Sequence, residues 1–473
     1  MKPVLSPEEM AGVDSKAAEP TEVLVARAGA FAARKAAQLL AGVFGRSVVV
    51  VAGRGNNGAD GRAASRLLEA RGAKVVVLEA GELAPGQALP PADLVIDAAY
   101  GTGLRRPYLP PKPAPGAAVL AVDIPSGLSG LTGQVLEGGG ALRASATVTF
   151  AALKPGLLFG VGPELAGEVD LVDIGLGPLV DEACRTWLVE DADVVALLPS
   201  RPREAHKWQS ALHVVAGSPG MTGAPWLASR AALRAGAGYV RLSMPGVEPS
   251  ALPPSELVHV PVGASGWHEV VLEGISRVRA LVLGPGLGPV ATCTGQGGAV
   301  PGGEVGSLLA GAAVPAVVDA DGLNALGTLE ALKELTVRRQ APTVITPHEG
   351  ELTRLAGKVP GPDRLGAARE AAARSGSIVL LKGPTTVVAH PDGRALLANA
   401  ADARLATAGT GDVLAGMIGA FIARGVAPFE AAALAAHVHG RAARTGRAEG
   451  FVAGDLPDLV ASWLSALARD EGR

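Results

Sequence analysis

AGTGDVLAG, residues 408–416, is a glycine loop that runs straight into a helix, and it gives the first bearing on the fold. Gly409 and Gly411 let the backbone take positive φ and approach a ligand closely. Val413, Leu414, Met417, Ile418 and Phe421 then recur at the i, i+3, i+4 spacing of an apolar helix face. The free N–H groups of such a first turn, with the positive end of the helix dipole, suit a phosphate. Asp412 has two readings there. It is a favourable first-turn acid, or a base that takes a hydroxyl proton while the amides hold a phosphoryl group.

Working outward, both halves of the chain read as alternating strand, loop and helix. SVVVV (47–51) is an apolar run of the kind buried on both faces of a parallel sheet. It leads into GRGNNGADG (53–61), a helical stretch through Leu68, and a second run, KVVVLEA (74–80), which closes a β-α-β unit. Further strands end in polar turns in LVIDAAYGTGLRRP from Leu94, AVLAVDIPSGL from Ala118 and ATVTFAALKPG from Ala146. Upstream, Ser6-Pro7-Glu8-Glu9 has the form of a capping box with proline at the first helical position, and a helix is expected from about Glu22 to Leu40. The pattern breaks in DADVVALLPSRPREAHK (191–207), where the domain boundary is expected. A second series starts with ALHVVAGS (211–218) and a helix from about Thr222 to Arg234. It continues through YVRLSM, RVRALVLGPGLG, AVVDADGLNAL, TVITPHEGEL and SIVLLKGPTTVVA. Open parallel sheets with sites at the strand C-terminal ends are the expected architecture.

The totals agree. A chain of 473 residues is too long for one core, and 48% hydrophobic with 18% charged residues describes a globular protein. A net charge of −3 and 3% aromatics leave no footprint for nucleic acid or an anionic membrane surface. No apolar run reaches membrane-spanning length and the N-terminus has no leader pattern, so a cytoplasmic protein is expected. Cys184 and Cys293 form neither a disulfide framework nor a metal pair, and His437 and His439, two apart on one helix, do not share a face.

Gly53, Gly55 and Gly58 satisfy G-x-G-x-x-G after a strand, and Glu79 ends the next one, which is the dinucleotide fingerprint in its usual context. Asn56-Asn57 and Asp60 are unusually polar for that loop. Asp97, Thr102 and Asp123 to Ser126 add oxygen groups at other strand ends, a set that suits a hard cation or a polar substrate. Each alone could be a turn-stabilising side chain. In the second half, Lys382-Gly383-Pro384-Thr385-Thr386 offers an ammonium, backbone N–H groups and a hydroxyl for phosphate, or else a plain hairpin turn. His348 is either a helix cap or a site residue, and Gly284, Gly286 and Gly288 permit either close approach or a turn. There is no Walker A motif, so a nucleotide site here needs the glycine helix start and a distant lysine loop.

The ordered set GRGNNGADG, VIDAAYGTGLRRP, VDIPSGL, AGSPGMTGA, RAALRAGAGYV, GPGLG, DADGLNAL, TPHEGEL, KGPTT and AGTGD resembles the bifunctional NAD(P)H-hydrate repair enzymes. The resemblance covers nearly the whole chain and implies an α/β protein of two doubly wound three-layer domains. These are a Rossmann-like NAD(P)H-hydrate epimerase domain over 1–200 and a ribokinase-like, ADP-dependent NAD(P)H-hydrate dehydratase domain over 201–473. It implies that Asn56, Asn57, Gly58, Ala59, Asp60, Gly101, Thr102, Gly103, Leu104, Arg105, Arg106, Pro107 and Asp123 bind the hydrate in the first domain. Asn57, Asp97 and Ser126 would hold potassium. In the second domain it assigns Ala237, Gly286, His348 and Asp412 to the hydrate, and Lys382 to Thr386 with Gly411 to the nucleotide. Asp412 and Asp123 are the expected catalytic residues, with magnesium and potassium as ions, ADP as co-substrate and a homo-oligomer as the assembly. LVARAG (24–29) stands where the family has LMENAG, HKWQSALHV lacks the family's glycine before its strand, and Ala59 replaces a glycine. The competing readings are a ribokinase-like small-molecule kinase fused to a phosphate-binding domain, an NAD(P)-dependent oxidoreductase, and a first half kept only as a binding module.

Overall fold

The structure, a computed structural model, describes residues 1–288 and 302–470. Cys293 lies outside the described residues. The chain divides into two units, Lys2–Trp187 and Leu188–Arg473, the second also taking in Met1. This division comes ahead of the boundary expected at 200/201. The helix Asp191–Leu197 groups with the second unit because Asp191 bonds His437 Nε2 at 2.7 Å and pairs with Arg441 at 2.5 Å. The stretch that suggested a boundary begins with that helix, and its prolines, Pro199 and Pro202, come after it. Among the described residues no helix is long and apolar enough to cross a membrane.

The first unit carries helices α1 (Pro7–Ser15), α2 (Thr21–Leu39) and α3 (Asn56–Glu69). Its strands are β1 (Ser47–Ala52), β2 (Lys74–Glu79), β3 (Leu94–Ala98), β4 (Ala118–Val122), β5 (Ala146–Phe150) and β6 (Glu168–Val172). They form a six-stranded sheet in the order β2-β1-β3-β4-β5-β6, every pair parallel. The SVVVV run is buried along its length apart from Ser47, as a central parallel strand requires. KVVVLE is an edge strand instead, with Val76 46% exposed. The capping box of α1 is present, Ser6 N donating to Glu9 and Glu9 N to Ser6 Oγ. Gly29 lets α2 cross α3 closely: a Cβ there would lie 2.4 Å from Ala63 Cβ. The register pairs Val51 with Asp97 and Asp97 with Ala121, so β1, β3 and β4 finish at one level and deliver their loops to one place.

The second unit contains β7 (Ala211–Val215), α4 (Gly223–Arg234), β8 (Tyr239–Ser243), β9 (Val258–His259), β10 (Ala280–Leu283) and β11 (Ala316–Val318). After these come α5 (Asp321–Leu326), β12 (Thr343–Ile345), α6 (Glu349–Ala356), β13 (Ile378–Leu381), β14 (Thr386–Ala389) and β15 (Ala395–Ala398). Helices α7 (Thr410–Ala423), α8 (Pro428–Ala443) and α9 (Leu456–Asp470) follow. The order β15-β14-β13-β12-β11-β10-β7-β8-β9 is parallel from β13 to β9, and the hairpin β13–β14 and its neighbour β15 are antiparallel. Helix α7 is apolar nearly all round and is buried accordingly. Two of its glycines allow backbone-close packing. A Cβ at Gly416 would meet Ala228 O at 2.0 Å, and one at Gly419 would meet Val282 Cγ2 at 2.4 Å.

Candidate active sites

In the first unit a cavity of about 730 Å³ opens where the parallel strands end. Asp123, directly after β4, has φ +66°, a left-handed conformation uncommon for a residue with a side chain. Its backbone N–H donates to Val148 O at 2.7 Å, which helps hold that conformation. Lys154 reaches Asp123 Oδ1 at 2.5 Å, Thr149 Oγ1 at 3.0 Å and Phe150 O at 2.9 Å, and is only 2% exposed. An ammonium so buried is tolerated because acceptors surround it. Asp60 of α3 is the counter-example: among the described residues no hydrogen bond to its carboxylate is found. Burial, then the nearby Asp123 and Asp14 carboxylates, push Asp60 up to about 8 against the opposing pull of Lys154. Burial also raises Asp14, which Lys154 opposes and Asp123 reinforces. The cavity therefore combines a carboxyl that keeps its proton at neutral pH with a carboxylate clamped by an ammonium.

Most of the expected residues meet here. Asn56, Asn57, Asp60, the loop from Gly101 to Arg106 and Asp123 line the cavity. Gly58, Ala59 and Pro107 do not. Gly58 serves the turn, since a Cβ there would lie 1.9 Å from Gly53 O, while Ala59 is half-buried and Pro107 faces solvent. Of the expected potassium ligands, Asp97 is fully buried, accepts from Ser126 N at 2.9 Å and is raised by that burial. Ser126 Oγ sits between Tyr100 N at 2.9 Å and Tyr100 O at 3.0 Å. Both polar atoms of the Asn57 side chain are buried without a partner among the described residues. Asp14, Thr149 and Lys154 were not singled out from sequence. The lysine stands in the quoted ALKPG turn, but its partners come from β4 and β5 and meet it only in three dimensions. Glu79, which a dinucleotide reading would aim at a ribose, is instead held by Arg62 Nη2 at 2.6 Å to both oxygens, and Arg62 Nη1 donates to Gly53 O at 2.8 Å.

In the second unit the start of α7 meets the ends of β11 and β13. Gly409 caps α7 with φ +93°, and among the described residues no side chain occupies the first-turn N–H groups. Lys382, just past β13, pairs with Asp319 Oδ1 at 2.6 Å, and a Cβ placed on Gly411 would lie 3.4 Å from Lys382 Nζ. Asp412 finds no hydrogen-bond donor among the described residues, and burial first, then Asp319 and Asp321, raise it to about 6 against the pull of Lys382. His439, buried on α8 and pushed down to about 4 by that burial, is neutral at physiological pH and donates from Nε2 to Thr410 O at 3.0 Å, bracing the helix start. Asp321 accepts from Gly288 N at 2.8 Å and so ties the GPGLG loop to the same edge.

The remaining expected residues divide. The loop Lys382 to Thr386 is both things it was read as: a hairpin turn between β13 and β14, and a carrier of Lys382. Gly383 is backed by Arg364, which donates to Lys382 O at 2.8 Å, and Thr386 Oγ1 lies 3.4 Å from Gly383 O. Pro384 falls in the turn and Thr385 is buried there. His348 is the cap of α6: its Nδ1 accepts from Gly350 N at 3.0 Å and Glu351 N at 3.3 Å, although Lys382 N bonds the adjoining Pro347 O at 2.9 Å. Gly286, at φ +66°, faces α4, where a Cβ would lie 3.0 Å from Ala224 Cβ. Ala237 is not brought to this edge. It precedes β8, at the strand N-terminal side, beside Arg424 at the far end of α7 from Asp412. Twelve residues of helix, about 18 Å, separate Asp412 from Arg424. Ala224, in the AGSPGMTGA motif, is the alanine that lies against Gly286.

Comparison with known proteins places both units of the chain in one family. A family model described as NAD(P)H-hydrate dehydratase matches residues 212–465, and one described as YjeF-related protein N-terminus matches 21–89 and 79–156. The bifunctional NAD(P)H-hydrate repair enzyme of Salinibacter ruber is 36% identical over 97% of this chain and 95% of its own length. That of Mycobacterium leprae is 37% identical over 91% and 90%. This chain belongs to the bifunctional NAD(P)H-hydrate repair enzymes. A solved ribokinase-like superfamily protein of Enterococcus faecalis, 20% identical, matches 60% of the chain and 96% of its own with a TM-score of 0.51, which bears on the fold alone. As a member of the repair-enzyme family the chain carries a dehydratase and an epimerase activity toward NAD(P)H-hydrate, and the kinase reading is set aside.

Proposed function

We propose that the second unit dehydrates the S-hydrate of NADH or NADPH at the expense of ADP, yielding AMP and phosphate, while the first unit interconverts the R and S hydrates. The observation that carries the dehydratase assignment is the Asp412 carboxylate, raised to about 6 and without a donor, beside Lys382 at the open start of α7. A base poised near neutral pH is the form in which a carboxylate best takes a hydroxyl proton. The hydrate hydroxyl oxygen attacks the terminal phosphorus of ADP, the bond to the bridging oxygen breaks and AMP leaves, while Asp412 accepts the hydroxyl proton. Lys382 and the N–H groups from Gly409 to Gly411 stabilise the transferring charge. The ring nitrogen then expels phosphate, a proton leaves the adjacent ring carbon, and the dihydropyridine is restored. The acidic groups Asp319 and Asp321 suit magnesium carried in on the nucleotide phosphates.

In the first unit, epimerisation at the hydroxyl-bearing carbon needs a proton delivered to the departing hydroxyl and another taken from the water that re-adds on the opposite face. Asp123, fixed by Lys154, serves as the acid/base. Asn57, Asp97 and Ser126 would hold potassium, which the orphaned Asn57 oxygen and the buried Asp97 carboxylate suit, and the ion would supply a fixed positive charge that orients the substrate. The test of the dehydratase reading is incubation of mixed hydrates with ADP and magnesium, followed by dihydronicotinamide absorbance. Asp412→Asn should slow the appearance of NAD(P)H by about 10²–10⁴-fold. Full ADP-dependent dehydration by that variant overturns the assignment.

A further inference from the structure

A second cavity, of about 190 Å³, lies at the opposite edge of the second unit's sheet from Asp412, between the segment that enters β7 and the C-terminal end of α7. Its charged lining is of one sign: Arg201, Lys207 and Arg424, with Gly236 and Gly238 as backbone wall and no acidic residue among the described residues. The two guanidiniums are fixed in place by carbonyl groups. Arg424 donates from Nη1 to Ala235 O at 3.0 Å and from Nη2 to Pro199 O at 2.6 Å, and Arg201 Nη2 donates to Gly236 O at 3.1 Å. A guanidinium offers five N–H donors, so most of those on each arginine remain free for another acceptor. Lys207 packs its ammonium over the rings of Trp208 and Tyr239, 5.7 and 5.1 Å from their centroids.

What singles the cluster out is that its charge is uncompensated. Among the described residues no carboxylate pairs with Arg201, Lys207 or Arg424. Burial, together with the Arg201 charge, lowers Arg424 to about 10, the direction expected of like charges held together. Gly236, at φ +99°, leaves room for this arrangement, since a Cβ there would crowd Arg424 Nη1 at 3.1 Å. Two pre-set guanidinium forks and a nearby ammonium form the geometry that recognises a tetrahedral oxyanion. A cavity of 190 Å³ is small for a whole nucleotide, given pockets of roughly 300–1,000 Å³ for drug-sized ligands, but it has room for a phosphate group.

We propose that this cavity is a second anion site, separate from both active sites, that binds a phosphate group, either the free ion or the end of a small phosphate monoester. The site stands on its own residues and does not depend on the roles given to Asp412 or Asp123.

Phosphorus NMR titration of the full chain with inorganic phosphate, and in parallel with glycerol 3-phosphate, tests it. Lys382→Ala removes the phosphate-facing lysine of the dehydratase site and should leave one saturable phosphate site. Adding Arg201→Ala and Lys207→Ala, both at exposed positions, should weaken that remaining site by about tenfold or more. Arg201→Lys should keep part of the affinity, since it retains the charge but not the fork. Binding of the free ion alone, or of the monoester alone, identifies the source and supports the site in either case. Loss of all phosphate binding in Lys382→Ala overturns the proposal, as does unchanged affinity after removal of Arg201 and Lys207.

Discussion

Asp412 is a carboxylate in a costly place, half-buried, without a donor among the described residues and facing two other acids, and that cost is what makes it useful. Its value of about 6 sets the pH dependence of dehydration. The base must be ionised, so kcat/KM for the hydrate should rise as pH increases through about 6 and level off above it, and Asp412→Asn should flatten this limb. The stability effect has the opposite sign. The folded value lies above the ordinary 3.8, so the native state binds more protons than the unfolded chain between those two pH values. Stability is therefore lost as pH rises through that window, and the full cost is felt above it. Replacing the charge with a neutral amide should stabilise the protein at pH 8 by ~1–3 kcal/mol, and the gain should vanish near pH 4. Thermal melts of both proteins at the two pH values check this; a variant less stable than the parent at pH 8 contradicts it.

The helix start around Asp412 separates two kinds of glycine. Gly409 is left-handed, and a Cβ there would lie 2.5 Å from Leu227 Cδ1, so its substitution would damage fold and site together. Gly411 lies inside the first turn, where alanine relieves roughly 0.5–1 kcal/mol of helix cost. Its Cβ would project to 3.4 Å from Lys382 Nζ, into the space assigned to phosphate. Gly411→Ala should accordingly melt no earlier than the parent while binding ADP about tenfold more weakly or worse, measured by calorimetry. Equal ADP affinity would place the phosphates elsewhere. Much of this element was legible in sequence, because the glycines, the acid and the apolar spacing are all local. SVVVV was legible for the same reason. KVVVLE has an equally apolar pattern but forms an edge strand, a position that depends on strand order, which local pattern does not encode. The same limit hid Lys154, whose acceptors come from two strands, and the placing of Ala237, since the similar short glycine-alanine motifs at 222–224 and 235–238 lie at opposite ends of α4. His348 shows the reverse: a charged-looking motif whose imidazole is occupied in capping its own helix.

At the scale of the whole molecule, two activities on one chain share a substrate that is a free small molecule, so the two sites need not be intact in the same copy. Asp123→Asn, with Asp412 in place, should convert only the S-hydrate of a mixed sample with ADP and magnesium, leaving R-hydrate behind beyond its slow spontaneous epimerisation. Asp412→Asn should equilibrate the two hydrates and form almost no NAD(P)H. The two variants mixed in equal amounts should consume both epimers, because hydrate epimerised by one copy diffuses to the intact dehydratase site of another. Chromatographic separation of R, S and NAD(P)H over time reads all three reactions. Complete consumption of R by Asp123→Asn alone, faster than the uncatalysed rate, would remove Asp123 as the acid/base and direct attention to the unpartnered Asp60 in the same cavity. Failure of the mixture, with each variant retaining its own half-reaction, would mean that the hydrate does not exchange freely between copies and that fusion of the two units has a kinetic purpose.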